Sequence, residues 1–197
     1  MFTGIVEGLG KVIALDPDQG NLHITIEAPF TSELKIDQSV SHNGVCLTVT
    51  DIRHSQYRVT AIAESLRKSN MGLLQVNDLL NLERAMVMNG RIDGHIVQGH
   101  VDLTGVCTSV VDQKGSWLFH FEYDDDADSI TVPKGSICVN GVSLTVVDSG
   151  NQTFSVAIIP YTFENTNFKN LRKGSVVKLE FDIIGKYVSK YLGNAKF

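Results

Sequence analysis

The phrase HNGVCLTVT at residues 42–50 returns ninety-seven positions later as VNGVSLTVV at 139–147. Around it, residues 39–83 match 136–180 without a gap, with identities at Ser39/Ser136, Asn43/Asn140, Gly44/Gly141, Leu47/Leu144, Thr48/Thr145, Asp51/Asp148, Asn70/Asn167 and Glu83/Glu180. The starts of the copies match at a shift of 95, GIVEGLG (4–10) against GHVDLTG (99–105), so the second copy holds two extra residues between these motifs. A period near 97 is too long for a solenoid unit and is the size of a small domain. The 197 residues therefore read as two tandem copies of one domain, 1–94 and 95–183, with a tail at 184–197.

Each copy reads as all-β. HITIEA, VCLTVTD, YRVTAI and LLNLER, then WLFHFEY, VSLTVVD, FSVAII and VVKLEFD, are rich in β-branched and aromatic residues and end in turn formers. Asn-Gly at 43–44 and 140–141 marks a tight turn, because both residue types tolerate positive φ. Short, evenly spaced strands favour closed barrels, since closure removes unpaired edges. One helical segment interrupts each copy, at 64–74 and 161–171. In the tail, Ile184, Tyr187, Val188, Tyr191 and Leu192 recur at helical spacing, as in a short amphipathic helix that covers its own domain or pairs with copies of itself.

Apolar residues at 43% supply a proper core, and a net charge of −5 with no Lys/Arg run does not suit a nucleic-acid or anionic-membrane surface. No apolar run is long enough to span a bilayer. MFTGIVEGLG has neither the basic nor the apolar region of a signal peptide. Cys46, Cys107 and Cys138 are odd in number and form no CxxC pair, which fits reduced thiols in a cytoplasm.

Duplication alone can merely enlarge a scaffold, so chemistry is sought where the copies differ. Ile5 becomes His100, Cys46 becomes Ser143, Glu64 becomes Tyr161 and Ser41 becomes Cys138, while Ser65 and Thr162 both keep a hydroxyl. An imidazole can move protons near neutral pH, although a lone His is more often structural. His95 and His100, with Asp93 and Asp102 nearby, lack the spacing of a helical zinc site, so no metal is expected. Cys46 with His100 suggests a thiol nucleophile but no orienting third group, and a Cys in a strand is usually a small hydrophobe. Glu83 and Arg84 of NLER could enter a site, but a surface ion pair at a strand end is the plainer reading.

The combination MFTGIVE, NGVCLTVT, LNLERA, GHIVQGHVD, KGSICVNGVSLTV and IIPYT, in this order and in a twofold repeat, resembles the riboflavin synthase α-chain family from Met1 to about Asp182. The resemblance implies two six-stranded Greek-key barrels and a C-terminal helix, assembled as a homotrimer. It implies dismutation of two 6,7-dimethyl-8-ribityllumazine molecules into riboflavin and 5-amino-6-ribitylamino-uracil, without cofactor or metal. Each productive pair of substrates would lie between the first barrel of one subunit and the second barrel of a neighbour. Association with lumazine synthase, the preceding enzyme, is a further partner that the resemblance raises.

Carried over residue by residue, the resemblance assigns a first pocket to Gly4, Ile5 and Val6, to Cys46, Leu47 and Thr48, and to Thr60, Ala61, Ile62, Ala63, Glu64 and Ser65. It assigns a second to Gly99, His100 and Val101, to Lys134, to Ser143, Leu144 and Thr145, and to Ile158, Ile159, Pro160, Tyr161, Thr162 and Phe163. Backbone around Gly4 and Gly99 would read the pyrimidine edge. The implied catalytic groups are Ser39 and His100, and Phe2 is implied in packing at the site. Lumazine proteins, which hold lumazine or flavin as an optical antenna without catalysis, are the main alternative; His100, Ser39 and an intact NGVSLTV favour the enzyme.

Ser136 repeats Ser39, so Ser39 is either a turn residue or a functional hydroxyl. If it is functional, Ser39→Ala lowers turnover far more than Ser136→Ala; equal, small losses in steady-state kinetics assign both to the turn.

Overall fold

The computed structural model describes residues 1–124 and 130–194, so the expected tail residues 195–197 lie outside the described residues. The first half forms β1 (Gly8–Asp18), β2 (Asn21–Glu27), β3 (Ser39–His42), β4 (Val45–Arg53), β5 (Gln56–Ala61), α1 (Ala63–Lys68) and β6 (Leu79–Arg84). The second repeats it as β7 (Leu103–Asp112), β8 (Trp117–Tyr123), β9 (Ser136–Val139), β10 (Val142–Gly150), β11 (Thr153–Ile158), α2 (Pro160–Asn165) and β12 (Val176–Phe181), followed by α3 (Ile183–Asn194). Each half closes into a six-stranded antiparallel barrel, ordered β1-β2-β5-β4-β3-β6 and, in the equivalent order, β7-β8-β11-β10-β9-β12. All eight strands read from the sequence are present. β1, β3, β7 and β9 complete the barrels, β1 and β7 each bending at a bulge where the register shifts.

Alternation fills each barrel. Val40, Val45, Leu47, Val49, Tyr57, Val59, Leu80 and Leu82 meet inside the first. Phe119, Phe121, Phe154, Phe168 and Phe181 meet inside the second, which is the more aromatic core. Asn43 (φ 48°) and Gly44 (φ 80°) make the two-residue β3–β4 turn, and Asn140 (φ 47°) and Gly141 (φ 80°) repeat it. The two turns meet between the barrels, where a Cβ on Gly141 would stand 2.6 Å from the Gly44 nitrogen.

The helical segments differ from the sequence expectation. Each is broken into one α-helical turn and a 3-10 turn, at Asn70–Leu73 and Asn167–Asn170. The break has a local cause. Ser69 and Thr166 are extended, and their hydroxyls cap the amides of Met71 and Phe168, an alternative to continuing the helix.

A polar seam joins the barrels along their pseudo-twofold axis. Asn81 Nδ2 donates to the Asn140 carbonyl (2.9 Å) and to Asn167 Oδ1 (2.9 Å), and Asn167 N donates back to Asn81 Oδ1 (2.7 Å). Asn43 Oδ1 accepts from Asn81 N (2.7 Å) and Asn167 Nδ2 (3.0 Å). Asn140 Oδ1 accepts from Lys178 N (2.9 Å), and Lys178 Nζ, at the place equivalent to Asn81, donates to the His42 carbonyl (2.9 Å). Each such bond contributes about 1 kcal/mol, and orphaning one of these buried groups costs more.

Burial first, and the Lys178 charge second, push the His42 imidazole down from 6.5 to about 3; its Nε2 bonds Tyr57 Oη at 2.8 Å. A base lowered in the folded state supports stability above its unfolded pKa, and that support is lost as pH falls below 6.5. The loss from this one residue reaches roughly 2 kcal/mol at pH 5. His42→Val, the residue found at Val139, removes this slope even if its baseline stability is lower. Denaturant unfolding of both proteins between pH 7 and pH 5 measures it, and parallel pH dependences refute the assignment.

Candidate functional site

The segments preceding the two barrels cross over. Phe2 and Val97 pair as an antiparallel bridge (N···O 2.7 and 3.0 Å), placing 1–6 and 95–101 side by side on the pseudo-twofold axis. Each segment then runs against the other copy's barrel. The Gly4 carbonyl accepts from Ser143 N (2.8 Å), and the Gly99 carbonyl accepts from Cys46 N (2.9 Å). Val6 packs on the second core and Val101 on the first.

This corrects the pocket grouping that the family resemblance assigned. Gly4, Ile5 and Val6 belong with Ser143 on the second barrel. Gly99, His100 and Val101 belong with Cys46 on the first. Sequence alignment pairs equivalent residues but is silent on whether a terminal segment packs in its own copy or the other. The contact is close enough to exclude a side chain. Gly99 has φ +79°, and a Cβ there would lie 2.6 Å from Cys46 Cβ; Gly4 (φ +76°) meets Ser143 in the same way.

Two buried carboxylates hold the crossed segments. Glu83, at the end of β6, accepts from Thr3 N (2.6 Å), Thr3 Oγ1 (2.9 Å) and Gly4 N (2.9 Å). Glu180, its repeat partner on β12, accepts from Gln98 N (2.6 Å), Gly99 N (3.0 Å) and His100 N (3.0 Å). Burial raises both carboxyl pKa values, and the amide donors oppose that rise. The reading of Glu83 with Arg84 as a surface pair is thus half right. Arg84 does pair with Glu7 (2.6 Å) and Glu33 (2.7 Å), but Glu83 is an interior acceptor.

At the mouth of the first barrel, Val45, Cys46, Glu64, Ser65, Lys68, Gly99, His100 and Val101 enclose a cavity of about 240 Å³. α1 supplies Glu64, Ser65 and Lys68, and Glu64 pairs with Lys68 at 3.2 Å. Cys46 and Thr48 stand on the outer face of β4, and Ser39 faces Thr48 across the β3–β4 pair, beside the cavity rather than in its lining. The crossover therefore brings both implied catalytic residues, Ser39 and His100, onto one barrel. Leu47 and Ala61 point into the core, so only their backbone is available at the mouth. Thr60 Oγ1 is engaged by His23 Nδ1 (2.8 Å), and Ile62 and Ala63 are exposed at the start of α1.

On the second barrel, Ser143 Oγ is hydrogen-bonded to His95 Nδ1 (2.7 Å). His95 is buried, which lowers its pKa, with Asp182 opposing. Phe163 stacks on Trp117 at 3.8 Å between ring centres, 8° from parallel. Leu144 packs on the core, Ile158 lies within it, and Thr145, Ile159, Pro160 and Tyr161 are exposed. The Thr162 carbonyl accepts from Thr166 Oγ1 (2.7 Å). Lys134 holds a turn at φ 68°, its amide donating to the Val146 carbonyl. No cluster of three metal-ligating side chains occurs among the described residues.

The lumazine binding domain family matches twice, over residues 3–85 and 98–182. The chain belongs to the riboflavin synthase family. It is 38% identical to the riboflavin synthase of Actinobacillus pleuropneumoniae over 193 residues, covering 98% of this chain and 90% of the relative. It is 35% identical to that of Bacillus subtilis (strain 168) over 196 residues (99% and 91%). A riboflavin synthase of Mycobacterium tuberculosis is 38% identical over 200 residues (99% and 100%). The fold matches crystal structures of LumP complexed with 6,7-dimethyl-8-(1'-D-ribityl) lumazine (TM-score 0.83, 20% identity, 91% and 98% covered) and with riboflavin (0.85, 20%, 92% and 99%).

From sequence, His95 is weighed only as a metal ligand, and neither Lys68 nor Glu180 is singled out as a site residue. Glu180 carries a signal, an acid identical in both copies. His95 offers no contrast between the copies, because the first has no residue at the matching place.

Glu180→Gln leaves an NH₂ group facing amides that need an acceptor. It lowers stability by roughly 1–3 kcal/mol and releases residues 98–100 from Cys46. Urea unfolding checks the first effect. Faster hydrogen exchange at Gly99 and His100 checks the second, and unchanged protection there contradicts the pinning role.

Proposed function

We propose that this chain is a riboflavin synthase, dismutating two molecules of 6,7-dimethyl-8-ribityllumazine to riboflavin and 5-amino-6-ribitylamino-uracil. The observation that carries the reading is a duplicated lumazine-binding domain in near full-length relation to curated riboflavin synthases. The reaction needs the same molecule twice, once as donor and once as acceptor of a four-carbon unit, and two related barrels meet that need. The 7-methyl group of one lumazine is acidic because its anion delocalises over the ring system; deprotonated, it attacks an activated ring carbon of the other. Holding the rings in register supplies up to ~7–11 kcal/mol of the barrier, and acid–base help adds roughly 10²–10⁴-fold.

In this reading His100 exchanges protons with the substrate in the first-barrel cavity, and Ser39 with Thr48 serves its edge. Cys46, Glu64, Ser65 and the Gly99 backbone form the first binding surface. Gly4, Ile5, Ser143, Thr145 and the 158–163 segment form the second, with Lys134 at its periphery. The units act as 1–94 and 95–183, each completed by the other's leading segment, with 184–197 as the remaining unit.

The expected homotrimer fits the exposed stripe of Ile184, Tyr187, Val188, Tyr191 and Leu192 on α3, an apolar face in want of a partner. The productive pair then lies between the first barrel of one subunit and the second of its neighbour. A cytoplasmic location suits the three free thiols. Association with lumazine synthase would shorten the substrate's path, and co-sedimentation tests it. No helix among the described residues is long and apolar enough to cross a membrane.

Incubation of the purified protein with 6,7-dimethyl-8-ribityllumazine gives riboflavin absorbance at the lumazine's expense. An unchanged bound spectrum identifies an antenna, and absence of binding a scaffold. His100→Gln lowers turnover by roughly 10²–10⁴-fold with folding intact; near-normal turnover removes His100 from the mechanism.

A further inference from the structure

The two barrel mouths are built from equivalent positions but differ in charge. Around the first-barrel cavity, α1 presents Glu64 and Lys68, with His100 and Cys46 completing the polar lining. Ninety-seven positions on, α2 carries Tyr161 and Asn165 instead, both uncharged. The duplication therefore keeps the scaffold and places on α1 an ammonium group that α2 lacks. Lys68 is the only lysine or arginine among the residues lining that cavity.

A surface ion pair one helical turn apart is often only a brace, adding a few tenths of a kcal/mol to its helix. Three features argue for more. The pair lines a concave site rather than an open helix face. It lies on a helix of only six residues, too short for a brace to be its main support. The same cavity holds His100, the one imidazole in its lining, on a segment fixed from behind by Glu180.

We propose that Lys68 is the counter-charge for a deprotonated lumazine, and that the first-barrel mouth is where the 7-methyl proton leaves. The inference rests on the riboflavin synthase reading and deepens it by giving the two pockets different roles. The balance is simple. The C–H bond of the 7-methyl group breaks, the proton passes to a base facing the cavity, and His100 is placed to take it. The electron pair stays on the lumazine, spread over its ring system and carbonyls, and no redox partner is involved. Lys68 remains protonated and gains a second anionic neighbour beside Glu64. At the second mouth the matching helix positions, Tyr161 and Asn165, carry no charge, and Lys134 stands only at its periphery.

Unit charges several ångströms apart near a protein surface interact strongly enough to change an ionisation equilibrium by roughly three- to thirtyfold. That is the effect expected on the proton-transfer step. It is read by incubating the full-length protein with 6,7-dimethyl-8-ribityllumazine in D₂O and following loss of the 7-methyl proton resonance at saturating ligand, alongside riboflavin formation. Lys68→Met slows exchange by roughly three- to thirtyfold, because it removes the cation and leaves the Glu64 carboxylate facing the anion. Lys68→Arg keeps the charge and exchanges at close to the wild-type rate. Unchanged exchange in Lys68→Met overturns the proposal. So does slowing in Lys68→Met that comes with a matching loss of stability in urea, which identifies the pair as a helix brace. In both of those cases wild-type turnover stands and the parent reading survives. A wild-type protein that neither binds nor converts the lumazine removes both.

Discussion

Two carboxylates set the geometry on which the site depends. Glu83 and Glu180 close the last strand of each barrel, and each accepts hydrogen bonds from the segment that opens its own copy. A carboxylate away from water is tolerable only when its lone pairs are answered, and here backbone amides answer them. The consequence is directional. A segment fixed at its amides by one barrel turns its carbonyls outward, and those carbonyls meet the other barrel, Gly4 at Ser143 and Gly99 at Cys46. Both mouths are thus composite, and His100 reaches the first barrel although its sequence belongs to the second copy.

The architecture was legible in the residues because its signals are local. The Asn-Gly pairs fixed two hairpins, β-branched runs marked the strands, and the 97-residue shift showed that whatever one half folds into, the other repeats. The crossing of the leading segments was not legible. GIVEGLG and GHVDLTG look alike whichever barrel they touch, and the choice rests on long-range hydrogen bonds from residues about eighty positions away. The helical segments were over-read for a related reason. Their apolar spacing suits a helix, but the Ser69 and Thr166 hydroxyls offer the backbone a nearer partner. Lys68 stayed hidden because an i, i+4 pair with Glu64 has the same sequence signature on a wall as on a bare surface.

The seam between the barrels shows how far duplicated halves can diverge while keeping one contact geometry. Asn43 and Asn140 play matching parts, as do Gly44 and Gly141. Asn81 and Lys178 do not, since an amide with two hydrogen-bonding ends is replaced by an ammonium with donors only. The lysine is nonetheless fully enclosed, its pKa pushed down by burial, with its Nζ on the His42 carbonyl. His42 in turn occupies the slot that Val139 fills in the second copy. The substitutions complement one another across the axis.

The crossed segments also bear on how such a gene can change over generations. In an ordinary tandem repeat, either copy can drift or be lost with damage confined to itself. Here a substitution near Gly99 alters the wall of the upstream barrel, and one near Gly4 that of the downstream barrel. Selection on one barrel mouth therefore acts on codons in both halves, and recombination that replaces a single half brings together a wall and a floor with separate histories. The duplication is inherited as one unit, because neither barrel mouth is walled by residues of one half alone.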